Sequence, residues 1–288
     1  MALTSSSVVT RHPSNPLLTA ADIPYDATLI FNAGVTKYEG RYVMAFRNDV
    51  MPQPGEHRGP HETTIGLAFS DDGINWQAEP KPWIKLESDE IRRAYDPRLT
   101  VVDGRCYLCF AVDTQHGIRG GIAVTDDLDD YEILSMSPPD NRNMVLFPKL
   151  VDGKFARLER PFPIYGRGAP EAFDMWFSDS PDCRYWGNEQ LVLGSEQVPW
   201  CNCKIGPGAP PVRTDAGWLT LFHAVNKDES TELPAWHANW HKTYTARSRP
   251  TVENRRHERQ AADGSRTAVR LRTGGIPGLR ALPRRTDS

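Results

Sequence analysis

A unit of strand, tight turn and strand returns four times along this chain, and that recurrence narrows the fold more than any composition figure. Gly34 to Phe46 reads this way. Leu99 to Phe110 repeats it around Asp103-Gly104, a dipeptide that favours the turns joining hairpin strands. Leu150 to Phe155 gives a third copy and Val212 to Phe222 a fourth. A second kind of unit runs between them. Ile65 to Trp76 is echoed by Ile122 to Tyr131, and again by Asp174 to Asp182 with Tyr185-Trp186 after it. Each is a strand, an acidic turn and an aromatic that can close the next strand. The interval is roughly 50 to 65 residues, at the long end for a four-stranded propeller blade. No segment sustains a helical period, and 22 glycines and 24 prolines are scattered throughout. The chain is therefore predicted to be an all-β propeller. The competing arrangement is a β-sandwich, which also has short, turn-rich strands but does not call for the paired recurrence.

The pattern stops near residue 245. From Ala246 to Ser288 there is no Phe, Trp or Tyr, while eleven arginines fall between Arg247 and Arg285. Such a segment has too little apolar surface to offset its chain entropy. Residues 1–245 are read as the propeller domain and 246–288 as an arginine-rich tail, disordered or aberrant, that does not form a complete final blade. The tail reads as a disordered segment, as the product of a shifted reading frame in place of a final blade, or as a basic arm for an anionic partner.

The rest of the sequence bounds the function. A net charge of −3 over 288 residues argues against a nucleic-acid binder, which would carry a basic face. No stretch approaches the roughly 20 apolar residues of a membrane span, and Met1 to Leu18 has no apolar run, so no signal peptide is expected. The five cysteines are odd in number. Cys106 and Cys109 look like a C-x-x-C pair, but on a strand residues three apart point to opposite faces and cannot share a metal. Buried, reduced thiols fit better, and with them a cytoplasmic location.

Two segments carry the chemistry. Tyr95-Asp96-Pro97-Arg98 offers a carboxylate at the lip of a predicted strand, and Asn141-Arg142-Asn143 a guanidinium in a loop beside another. Pro97 biases Asp96 to an extended conformation. A carboxylate held there over a propeller channel suits a general acid; the alternative is a turn-starting aspartate paired with Arg98. Arg142, Arg160, Lys204 and His223 are each ordinary as surface or turn residues, but they lie beside or inside apolar strand patterns, where a cation needs a partner. Arginine geometry matches phosphate well. One acid with several separated cations points to a neutral substrate handled together with an oxyanion. Asn32 and Arg47 flank the first hairpin and suit sugar hydroxyls, or simply turn chemistry and a surface charge. Most of the eight tryptophans are read as core; Trp236 and Trp240, in a polar stretch, are the ones expected at the surface.

The segments Phe31-Asn32-Ala33-Gly34, Phe46-Arg47, Tyr95-Asp96-Pro97-Arg98, Asn141-Arg142-Asn143, Leu146-Phe147-Pro148, Arg160-Pro161, Tyr185-Trp186-Gly187, Lys204-Ile205-Gly206 and Phe222-His223 keep this order over about residues 15 to 245. In that set the chain resembles glycoside hydrolase family 130, the β-mannoside phosphorylases and related mannosidases. The resemblance implies a five-bladed β-propeller with its site over the central channel, the last blade here being incomplete. It implies that Asp96 matches the catalytic acid, that Asn32, Arg47 and Asn143 take the sugar, and that Arg142, Arg160, Lys204, His223 and Tyr244 take phosphate. It also implies a relay of the acid's proton through the mannose 3-hydroxyl. No cofactor or metal is expected, only inorganic phosphate as co-substrate. The partners expected are a β-mannoside oligosaccharide and phosphate, and a second copy of the chain could cover an open propeller edge.

An inverting glycosidase needs a second carboxyl group as base for water. Phosphate is already an anionic nucleophile, so one acid and a cationic cradle suffice. The expected activity is inverting phosphorolysis of β-1,4-mannooligosaccharides or mannosyl-glucose to α-mannose 1-phosphate. The rivals are a β-mannoside hydrolase of the same family and an inactive, truncated carbohydrate-binding propeller.

Overall fold

The computed structural model describes residues 10–52, 59–162, 173–226, 243–247 and 270–271, the last two segments by backbone alone. Trp236, Trp240 and all of the tail except Ala246, Arg247, Arg270 and Leu271 lie outside the described residues.

Those residues form an all-β fold of antiparallel sheets that follow one another along the chain. Sheet 1 holds β1 (Leu29–Tyr38), β2 (Arg41–Val50), β3 (Glu62–Ser70) and β4 (Gln77–Ala78). Sheet 2 holds β5 (Ile91–Val102), β6 (Arg105–Thr114), β7 (Gly117–Thr125) and β8 (Glu132–Met136). Sheet 3 holds β9 (Asn141–Leu146), β10 (Phe155–Pro161), β11 (Met175–Ser180) and β12 (Gly187–Leu193). In sheet 4, β15 (Gly217–Val225) pairs along one edge with β13 (Lys204–Pro207) and β14 (Val212–Thr214). Its Leu219 and Phe222 also pair with Arg247 and Tyr244 of β16 (Thr243–Arg247), and Trp218 pairs with Leu271 of β17 (Arg270–Leu271). The arrangement is a β-propeller in which β1, β5, β9 and β13 are the inner strands.

The five blades implied by the resemblance are corrected to four sheets among the described residues. The physical reason is in the sequence. Beyond Arg247 it has no aromatic residue and no sustained alternation, so a further sheet would have little apolar area to bury.

Hydrophobic clusters fill the spaces between consecutive sheets. Val43, Ile65 and Leu67 of sheet 1 meet Leu99, Leu108 and Phe110 of sheet 2. Tyr107, Ile122 and Val124 meet Met144 and Leu146 of sheet 3. Val145, Leu158 and Met175 meet Ile205, Trp218 and Phe222 of sheet 4. A strand covered on both faces reads as a continuous apolar run, which explains Cys106 to Val112 in β6. Cys106 faces the first cluster and Cys109 the third, as period two requires. Burial pushes both thiols up to about 12, and all five cysteines are outside any disulfide.

The acidic turns recur between the third and fourth strands of sheets 1 to 3. Asp72 accepts backbone N–H bonds from Ile74 and Asn75 at 2.8 Å. Asp127 does the same for Asp129 and Asp130, and Asp182 for Arg184 and Tyr185. Trp76 and Trp186 each donate Nε1–H back to the carbonyl three residues earlier. These turns repeat because each sheet is one copy of the same supersecondary unit. No helix among the described residues is long and apolar enough to cross a membrane.

Candidate active site

Register breaks in three inner strands build the site. The shifts fall between Phe31 and Gly34 in β1, between Tyr95 and Arg98 in β5, and in β9 opposite Leu158 and Arg160. Each break holds one non-glycine residue in the left-handed region: Asn32 at φ 51°, Asp96 at 55° and Asn143 at 59°. The extended backbone that Pro97 suggested for Asp96 is therefore not adopted. Asn and Asp tolerate this conformation better than other side chains, and a bulge re-aims the side chain it carries. Asn32 Nδ2 donates to Asp96 Oδ1 at 2.7 Å, and Asn143 Nδ2 lies 3.5 Å from His223 Nε2.

Arg47 approaches the same carboxylate, with Nη1 3.7 Å from Asp96 Oδ1. Its orientation is set by others. Nε and Nη2 donate to the two oxygens of Asp49 at 2.9 and 2.7 Å, and Thr63 Oγ1 donates to Asp49 at 2.8 Å. The guanidinium lies over the Phe31 and Tyr95 rings at 4.7 and 4.9 Å. Tyr95 in turn donates its hydroxyl to Asp113, which also takes Arg93 Nε at 2.6 Å. Asp49 and Asp113 are thus tied to arginine, whereas Asp96 is held by an amide and a longer contact.

Arg98 is not the ion-pair partner of Asp96 that its position suggested. It is mostly buried and donates Nη1 to the Asn32 and Pro97 carbonyls at 2.8 Å and Nε to the Gly208 carbonyl at 3.0 Å. It therefore fastens β1, β5 and the segment after β13 around the acid. Gly34 makes the approach feasible, since a Cβ there would come within 2.7 Å of Arg98 Cα. Arg98→Ala should leave these carbonyls without their donor and lower stability by about 1–3 kcal/mol. Chemical denaturation checks this, and a midpoint unchanged from wild type would show the clasp to be unimportant.

The cations gather on the other side. Arg142 and Arg160 sit opposite each other in register on β9 and β10, an unfavourable placement for like charges. Arg160 is 1% exposed and its Nη1 lies 3.4 Å from His223 Nε2. The stacked rings of Phe162 and Phe173, 4.7 Å apart, lie beside it, and Phe162 also faces Arg142 at 5.5 Å. No carboxylate among the described residues forms an ion pair with Arg142, Arg160 or Lys204. The Nε atoms of Arg142 and Arg160 are buried without a hydrogen-bond partner.

The electrostatics follow. Burial, then the neighbouring Arg142, pushes Arg160 down to about 9. Burial, then Arg160 and Arg142, pushes Lys204 down to about 8. Burial and the same cations hold His223 well below its usual value, hence neutral at pH 7. Arg160 and Lys204 remain charged at neutral pH, so the cluster is a concentrated positive site that suits an oxyanion. Tyr244 pairs with Phe222 through its backbone, which brings it to the same sheet. Among the described residues no group of three or more His, Cys, Asp or Glu side chains is placed to hold a metal ion.

Sequence reasoning missed the residues that aim the others: Asp49 and Thr63 behind Arg47, Phe162 and Phe173 beside Arg160, and Gly206. A Cβ at Gly206 would stand 2.9 Å from the His223 ring and 3.1 Å from Arg160 Nη1. Only the alternation of β13, with Gly206 two residues after Lys204 on the same face, carried a signal for that residue.

Comparisons with known proteins place the chain in a family. The family model described as beta-1,4-mannooligosaccharide phosphorylase matches residues 10–233. The beta-1,4-mannooligosaccharide phosphorylase of Ruminococcus albus is 32% identical over 231 residues, covering 76% of this chain and 64% of that one. The chain thus spans just under two thirds of that relative's length. The 1,2-beta-oligomannan phosphorylase of Thermoanaerobacter sp. strain X514 is 27% identical over 225 residues, covering 76% and 72%. In three dimensions the chain is similar to the beta-1,2-mannobiose phosphorylase of Listeria innocua, solved with beta-1,2-mannobiose. The TM-score is 0.65 at 21% identity, over 76% of this chain and 75% of that one, a likeness of fold. With a family model matched over most of its length, the chain belongs to glycoside hydrolase family 130.

Proposed function

We propose that this chain is an inverting β-mannoside phosphorylase, cleaving β-1,4-linked mannooligosaccharides or mannosyl-glucose with inorganic phosphate. The observation that carries the reading is the pairing of one amide-held carboxylate, Asp96, with a cluster of cations that form no ion pair with a carboxylate among the described residues. Asp49 and Asp113 are engaged by arginines, so neither offers the free base that an inverting hydrolase needs. The relatives named above support phosphate as the acceptor.

In this reading Arg142, Arg160, Lys204 and His223 bind phosphate, with Tyr244 joining from β16. Asn32, Arg47 and Asn143 hold the mannosyl unit. A phosphate oxygen attacks C1 from the face opposite the leaving sugar. The C1–O bond breaks, and the departing oxygen takes the proton of Asp96, directly or through a sugar hydroxyl. The products are α-mannose 1-phosphate and an oligosaccharide one unit shorter. The cations act by positioning the nucleophile and by balancing charge in a partly dry site. The test is incubation with mannobiose and with mannosyl-β-1,4-glucose, with and without phosphate. Release of mannose 1-phosphate only with phosphate supports the reading; release of free mannose at an undiminished rate without phosphate defeats it.

Lys204 also sets a pH dependence. In the free protein it loses its proton as pH rises through about 8, and the cradle loses a charge. Since kcat/KM reports the free enzyme, kcat/KM for phosphate should fall above that pH, while kcat at saturating phosphate falls less. A flat kcat/KM for phosphate between pH 7 and 9 would remove Lys204 from the cradle.

A further inference from the structure

Sheet 3 carries polar groups on both faces. Arg142 and Arg160 point toward sheet 4, as their paired register and their neighbours show. Asn141, Arg157 and Glu159 alternate with them and therefore face sheet 2. On that side a cavity of about 500 Å³ opens between the sheets. Its far wall comes from residues 135–140 at the end of β8, and its near wall includes Trp176, Trp186, Glu159 and Glu189. The volume falls within the range of small-molecule sites.

The wall chemistry selects the ligand. Glu159 is 3% exposed and fully engaged: Asn141 Nδ2 and Arg157 Nη2 donate to Oε2 at 2.7 and 2.8 Å, and Ser178 Oγ donates to Oε1 at 2.8 Å. Arg157 lies 4.1 Å over the Trp186 ring. At the rim Arg184 is paired with Glu132, and Asp140 Oδ1 accepts the Ile118 N–H at 2.7 Å. The wall thus sets two arginines against three carboxylates, Asp140, Glu159 and Glu189, a slight negative excess that disfavours an anion and that a neutral polyol tolerates. Two wall atoms have no hydrogen-bond partner: an acceptor, Asn141 Oδ1, and a donor, Trp176 Nε1. A hydroxyl group can serve both. Both atoms are shielded from water, so contact takes a side-chain rotation. Indole surface beside planar polar groups suits the two sides of a pyranose ring.

We propose that this inter-sheet cavity is a second carbohydrate site, separate from the channel, that takes one or two hexose rings of a neutral oligosaccharide. The choice of mannosides as ligand rests on the function proposed above; the site itself rests on the cavity. The experiment follows the Trp176 indole N–H resonance, assigned by Trp176→Phe, during titration of the full chain with β-1,4-mannotriose without phosphate. A saturable shift with a midpoint of about 1–10 mM is expected, and it should persist in Asn32→Ala, where channel binding is weakened. Glu189→Ala, at the rim, should raise the midpoint about three- to tenfold and leave turnover of mannobiose unchanged. A shift that disappears in Asn32→Ala would report the channel and overturn the proposal. So would an unmoved resonance in a sample that turns mannotriose over once phosphate is added, with the phosphorylase reading intact. An unmoved resonance together with no turnover overturns both.

Discussion

Asp96→Asn should lower turnover of β-mannosides by about 10²- to 10⁴-fold, the usual worth of a general acid, and leave the fold in place. The substitution is nearly isosteric. Asn accepts the left-handed backbone at φ 55° about as readily as Asp, and its amide oxygen can still receive Asn32 Nδ2. What is lost is a transferable proton and the 3.7 Å contact with the charge of Arg47. Asp96→Ala makes the comparison sharper. It should lose as much activity and some stability as well, because alanine is strained in that conformation. Mannose 1-phosphate production and thermal melts measured on both variants separate the two effects. Activity in Asp96→Asn within a few-fold of the parent would take this residue out of the mechanism.

The parts of the fold that follow from strand period and turn chemistry were legible in the sequence. Asp103-Gly104 marks the β5–β6 hairpin, and the repeated acidic turns mark where a third strand ends in each of three sheets. The opposed faces of Cys106 and Cys109 follow from period two alone. The number of sheets was not legible, because it came from the resemblance rather than from strand patterns in the last 43 residues, 246–288. The chemistry-bearing residues could be picked out one at a time, but not their convergence. Asn32, Asp96 and Asn143 meet the cations because three bulges turn them, and a bulge at an Asn or Asp leaves little local trace beyond the residue type. The proline after Asp96 pointed to an extended residue, and tertiary packing around Arg98 and Gly34 overrode it. The alternative that pairs Arg98 with the nearest carboxylate in sequence fails for the same reason: two of its three carbonyl ligands are 66 and 110 residues away and invisible to local reasoning.

The cationic cluster should weaken the protein that it makes useful. Between about pH 8 and Lys204's ordinary value of 10.5, the unfolded chain binds a proton at Lys204 that the folded chain has released. Stability therefore rises with pH across that window, and below it the folded protein carries the full cost of a crowded charge. Lys204→Met keeps the bulk of the side chain and removes the charge, so in phosphate-free buffer it should melt at a higher temperature than the parent. Arg142→Ala, which relieves the like-charge pair with Arg160, should gain less, since it also gives up contact with Phe162. In both variants the phosphate KM should rise about 10- to 100-fold, the loss of one charge-assisted hydrogen bond or two, with the sugar KM little changed. Added phosphate should stabilise the parent by binding the folded state alone and should stabilise the variants far less. The three readouts move in different directions for a structural role and for an anion cradle. If Lys204→Met were less stable without phosphate and still gained the parent's full increment on adding it, the cluster would be a packing feature, and phosphate would have to bind elsewhere.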